Sequence, residues 1–131
     1  MRQDGNQAPR MHDALLLRGK SIKANLFVIL FEDKGTKIAY CPALNVYGYG
    51  RTDQEARDSF EYCLEEFFDY TVKKKTLIKE LESLGWEIRS RRKFAAPVFS
   101  RLLEKNKTLR KVMDTKDFKK VSAPVRIPAI S

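Results

Sequence analysis

The sequence predicts one small domain of the α+β class, and three observations lead there. Its 131 residues are about what a single hydrophobic core requires. Between Ser21 and Gly50 the chain is rich in β-branched and aromatic side chains, broken by turn signals. From Thr52 onward the apolar residues recur at spacings of three and four, the period of a helix.

Residues 1–20 are polar, carry Gly5, Pro9 and Gly19 without sustained periodicity, and read as a flexible tail. A strand is expected over Ser21–Phe31, ended by the turn signal Glu32-Asp33-Lys34-Gly35. A second follows over Thr36–Cys41, Pro42 to Asn45 interrupts it, and Val46–Gly50 supplies a short third. Thr52-Asp53-Gln54-Glu55 is a capping box, in which hydroxyl and carboxylate satisfy free amides at a helix start. In that helix Ala56, Phe60, Cys63, Leu64, Phe67 and Phe68 share one face, with Asp58, Glu61, Glu65, Glu66 and Asp69 on a charged side. Lys73-Lys74-Lys75 suits its negative end. A second helical stretch runs to the cap residue Gly85, and Trp86-Glu87-Ile88 alternates like a fourth strand. Two short amphipathic helices divided near Asn106, then a short strand at Val125-Arg126-Ile127, complete the chain. The expected organisation is a β-β-β-α-β domain over residues 21–90 and a basic, mostly helical C-terminal extension over 91–131.

Composition excludes several functions. Hydrophobic residues make up 43% of the chain, enough to fold, and the longest apolar run, Leu26–Phe31, is far below the roughly 20 residues of a membrane span. No secretory signal core is present, so a cytoplasmic protein is expected, with Cys41 and Cys63 as reduced structural thiols. His12 is the only histidine, in the polar tail and without acids or cysteines at ligand spacing. That argues against a metal site and a Ser/His triad. No cofactor motif occurs: Gly48 and Gly50 lack the spacing and lysine of a phosphate loop and read as a bulge or a close backbone approach. Glu32 and Asp33, the only adjacent acids near the strands, belong to a turn and not to a magnesium cluster. The expectation is a protein without enzymatic activity.

The stretch Lys37-Ile38-Ala39-Tyr40-Cys41-Pro42-Ala43-Leu44, followed by Tyr49-Gly50-Arg51-Thr52-Asp53-Gln54-Glu55-Ala56, resembles the HicB family of antitoxins. The strand ending, the loop proline, the glycine-bearing third strand and the helix cap come in the family's order over Ser21–Ile88. The resemblance implies a partial ribonuclease-H-like fold lacking catalytic carboxylates. It also implies an antitoxin of a type II toxin-antitoxin pair, with a small HicA-like mRNA-cleaving toxin as partner. Family members commonly repress their own operon as well, through a C-terminal helix-turn-helix or ribbon-helix-helix module; this C-terminus follows neither pattern closely, and autoregulatory DNA binding is a secondary expectation. The toxin-contact residues expected from it are Tyr40, Pro42, Leu44, Tyr47 and Tyr49. The tyrosines have two further readings, as platforms for nucleic-acid bases or as packing within the sheet.

Charge is unevenly placed. From Arg89 onward there are thirteen Lys or Arg against three acids, so this segment carries +10 and Met1–Ile88 carries −1. Such a patch suits nucleic acid, an acidic protein surface or solubility alone. Arg89, Arg91, Arg92, Lys93, Arg101 and Lys105 are the candidate nucleic-acid contacts, and a nucleic-acid-binding regulator without a toxin is the alternative function. The first strand is apolar on both faces, with Leu26, Val28 and Leu30 opposed to Phe27, Ile29 and Phe31. One helix covers one face only. The other requires the C-terminal segment, a toxin or a second copy, and a homodimer or higher oligomer is expected.

Overall fold

A computed structural model describes residues 21–90 and 93–128. Strand β1 (Ser21–Asp33) turns through Lys34 and Gly35, both at positive φ, into β2 (Thr36–Cys41). That two-residue turn has the mirror-image twist which hairpins favour. The Pro42–Asn45 turn, with Asn45 at φ 56°, leads to β3 (Val46–Gly50). Helix α1 (Asp53–Lys73) follows, then α2 (Leu77–Ser83), β4 (Glu87–Ser90), β5 (Lys93–Ala95), α3 (Phe99–Lys105), α4 (Lys107–Thr115) and β6 (Phe118–Pro128).

The main sheet is antiparallel with order β3-β2-β1-β6. Its fourth strand is not the one expected. Glu87–Ser90 pairs only with Lys93–Ala95, in a separate two-stranded ribbon. The preceding Trp86 explains this: its ring is buried and its indole N–H donates to the Ala43 carbonyl at 2.7 Å, anchoring the chain beneath the β2–β3 turn. The place beside β1 is taken by β6, paired from Ser21↔Pro128 to Phe31↔Phe118. The chain beyond residue 90 is therefore built into the same sheet as residues 21–33, and the expected helical extension ends in an eleven-residue strand.

Helix α1 covers one sheet face. The Thr52 hydroxyl oxygen accepts from the Glu55 amide at 3.1 Å, while the Glu55 carboxylate accepts from the Arg51 amide, one residue earlier than in a standard capping box. Ala56, Phe60, Leu64 and Phe68 are buried against Leu26, Val28, Leu30, Val125 and Ile127. Each such large side chain contributes about 1.5–3 kcal/mol on burial. Gly48 makes the approach possible: a Cβ there would stand 2.2 Å from the Phe60 amide nitrogen and 2.3 Å from the Ala56 carbonyl oxygen. The close-approach reading of the Tyr-Gly-Tyr-Gly strand is the correct one. Glu65 and Asp69, expected on the solvated side, are buried.

The opposite face is covered from within the chain. Leu102 of α3 and Leu109 and Val112 of α4 bury Ile29, Phe31 and Tyr40, and Phe99 meets Phe27 edge to face at 4.9 Å. Lys120 lies over both of those rings. The sheet is thus sandwiched between two helical layers, and the argument for a second copy, which rested on a bare face, falls away. The two sheet edges are managed differently. β6 carries Lys119, Lys120, Pro124 and Arg126, which discourage further pairing.

Candidate binding surfaces

At the other edge, no described strand pairs with the outer side of β3. Alternate residues aim their backbone groups alike, and the Tyr49 amide donates outward to Ser59 of α1 at 3.0 Å. The outward groups of Tyr47 are left at the edge. A ladder of tyrosines leads to this rim on the α3–α4 side. Tyr40 and Tyr47 stack at 4.2 Å, Tyr47 and Tyr49 lie nearly parallel at 6.2 Å, and exposure rises from 0% at Tyr40 to 55% at Tyr49. On the helix side, Tyr62 stands one turn beyond Ser59 and is exposed, among the exposed acids Asp58, Glu61 and Glu66.

Of the expected contact residues, Tyr47 is half-buried and Tyr49 exposed. Tyr40, Pro42 and Leu44 are buried, with Pro42 lining the groove between the end of α2, the ribbon and the α3–α4 pair. The work of Tyr40 is internal. The Tyr40 hydroxyl donates to Asn45 Oδ1 at 3.2 Å and accepts from Asn106 Nδ2 at 2.6 Å, tying the β2–β3 turn to the start of α4. Burial raises the pKa of this phenol well above its ordinary value, so it remains a donor throughout the physiological range. Asn106 Oδ1 meanwhile caps α4 by accepting from the Leu109 amide. Sequence reasoning found Asn106 only as a divider between helices; the signal of its second role was its suitability as a helix cap.

The second surface is a groove of about 800 Å³ between the end of α2, the ribbon and the α3–α4 pair. Arg89, Arg101 and Lys105 line it, joined by Lys107, which sequence reasoning did not single out. Lys93 is exposed but does not line the groove, and Arg91 and Arg92 lie outside the described residues. Glu82 and Glu87 also line the groove. Arg89 spends its charge on Glu87, at 2.9 Å. The cations expected to form one arm are thus divided.

The remaining chemistry-bearing residues are structurally committed. Glu32 pairs with Lys37 and Asp33 with Lys116, each at 2.9 Å. The Lys116 ammonium, by hydrogen bond and then by charge, holds the Asp33 carboxyl below its ordinary pKa. Cys41 and Cys63 are free thiols, and burial pushes Cys41 up to about 11. Among the described residues no three His, Cys, Asp or Glu side chains stand close enough to hold a metal ion, and no helix is long and apolar enough to cross a membrane. Comparison with family models, curated proteins and solved structures finds no match to this chain.

Proposed function

We propose that this chain is a non-catalytic antitoxin of the HicB kind, which binds and neutralises a small basic HicA-like ribonuclease toxin through the open β3 edge. The observation that carries this reading is the coincidence of two features. The residues that resemble the HicB family fall on β2, the turn after it, β3 and the capped start of α1, and the same stretch bears the open edge with stacked tyrosines. Tyrosine is a favoured anchor in protein interfaces because it offers large, rigid contact area with a polar tip. Exposed acids beside Tyr62 suit a basic partner and would speed its encounter. The pairing of Glu32 and Asp33 with two different lysines supports a binding role over a nuclease role, since a magnesium site would need free carboxylates converging on one point.

The test is neutralisation. The open reading frame beside this gene, expressed alone, should arrest growth, and co-expression of this chain should restore it. The Tyr47→Ala, Tyr49→Ala double variant should fold and lose the rescue. A neighbouring gene whose product is harmless, or a rescue unchanged by the double variant, would remove the antitoxin reading or its assigned surface respectively.

A further inference from the structure

We propose that the groove between α2, the ribbon and the α3–α4 pair is a second, separate binding site, and that its occupant is an extended peptide segment carrying an acidic residue beside an apolar anchor. This inference is independent of what the β3 edge engages.

The argument begins with the arrangement of charge. Arg101 and Lys105 are four residues apart on α3, hence on the same side of that helix, and Lys107 begins the next. All three are exposed, and none has an ion-pair partner of opposite charge within reach among the described residues. They form one basic wall. Across the groove stand Glu82 and Glu87, the latter held by Arg89. Between the walls lie Leu84, Ala96, Pro97 and Val98, and Val98 keeps 62% of its surface exposed.

A nucleic-acid backbone presents a repeating negative charge, which suits the basic wall but leaves Glu82 facing like charge with nothing to pair with. Among the described residues that line the groove there is also no aromatic ring on which a base could stack. A peptide meets both demands: a carboxylate faces Arg101 and Lys105, an amide or basic group faces Glu82, and an aliphatic side chain covers Val98. The groove's size, within the range of sites that accept small ligands and short segments, agrees with this. Its walls are also preorganised. Asn106, which lines the groove, is fixed by its bonds to Tyr40 and to the Leu109 amide, and its neighbour Asn45, also a lining residue, is held by the same Tyr40 hydroxyl. A pre-set site loses less freedom on binding.

The experiment is selection of phage-displayed random dodecapeptides on the full chain, with an Arg101→Glu, Lys105→Glu variant for counter-selection. Enriched peptides should combine Asp or Glu with Leu, Ile or Val. A fluorescent copy should bind the full chain and lose affinity by at least about tenfold in the charge-reversed variant and in Val98→Asp. These residues are exposed, and circular dichroism should show both variants folded. Labelled oligothymidine, used as the competing probe, should bind weakly and fail to displace the peptide. Four outcomes would overturn the proposal: no enrichment, enrichment of basic peptides, an affinity indifferent to both variants, or displacement of the peptide by oligothymidine at the same residues.

Discussion

The two faces of the main sheet are covered in different ways. On one, a single helix of 21 residues lies against β3 so closely that glycine is required at position 48. On the other, two short helices meet at Asn106 and bury Ile29, Phe31 and Tyr40 while leaving Tyr47 half-covered and Tyr49 exposed. The first face is fixed by backbone contact, and the second by side chains with a polar pin at Tyr40. The lesson is that accessible surface arises where the helical cover stops short of the sheet edge. Both candidate surfaces border the second cover and neither lies under the first.

The sharpest way to break this comparison is Gly48→Ala. A methyl group cannot fit without moving the α1 backbone, so the loss should exceed about 3 kcal/mol and leave the chain largely unfolded by denaturant titration. A mild effect would mean that α1 is no more tightly held than the other layer. Leu109→Ala should cost about 2–4 kcal/mol, because the side chain is fully buried. Hydrogen exchange should rise mainly in α3 and α4, with α1 amides keeping their protection. Uniform loss of protection would show instead that the two layers open as one unit.

Asn106→Ala removes a helix cap and the stronger partner of the Tyr40 hydroxyl, and should cost about 1–2 kcal/mol. The Tyr40→Phe variant keeps the cap and should lose less; equal losses would assign the whole effect to the pin. The smallest effect concerns Asp33. Its folded pKa is depressed by Lys116, so its contribution is present above the unfolded value of about 3.9 and fades as pH falls through the folded value. Asp33→Asn should flatten stability against pH in that acid window, with its small loss showing at neutrality, where the pair contributes, and little change below the folded value. An unchanged acid limb would mean that the pair is not formed in solution.

Much of the first layer was legible in the sequence because its signals are local. Thr52 and Glu55 mark the helix start, Phe60, Leu64 and Phe68 mark its buried face, and two glycines inside a strand mark close contact. The second layer was half legible: the two helices and their division at Asn106 could be read, but not what they cover. β6 was missed except at Val125–Ile127, because Pro124 and the small residues Ser122 and Ala123 break up an alternation that runs from Lys120 to Ile127. Its partner β1 is remote in sequence, and pairing of that kind leaves no local mark. Tyr40 and Tyr49 show why contact residues were harder still. Both sit in alternating strands and read alike, yet one lies under α4 and the other on the rim.

The pairing of β1 with β6 also sets a schedule. The two strands are separated by about a hundred residues of chain, and at about 5–20 residues per second a ribosome needs roughly 5–20 s to make that span. Throughout this interval β1 has emerged with its hairpin partner β2 on one side only. Its other edge, apolar from Leu26 to Leu30, has no mate, and the layer that shields Phe27, Ile29 and Phe31 has yet to be synthesised. The nascent chain therefore carries a sticky strand throughout that interval, and β6, the last of the described strands, is the one that seals it. Ribosomes stalled within the α3–α4 region should hold a product that recruits chaperones, and release of such fragments would favour aggregation over folding.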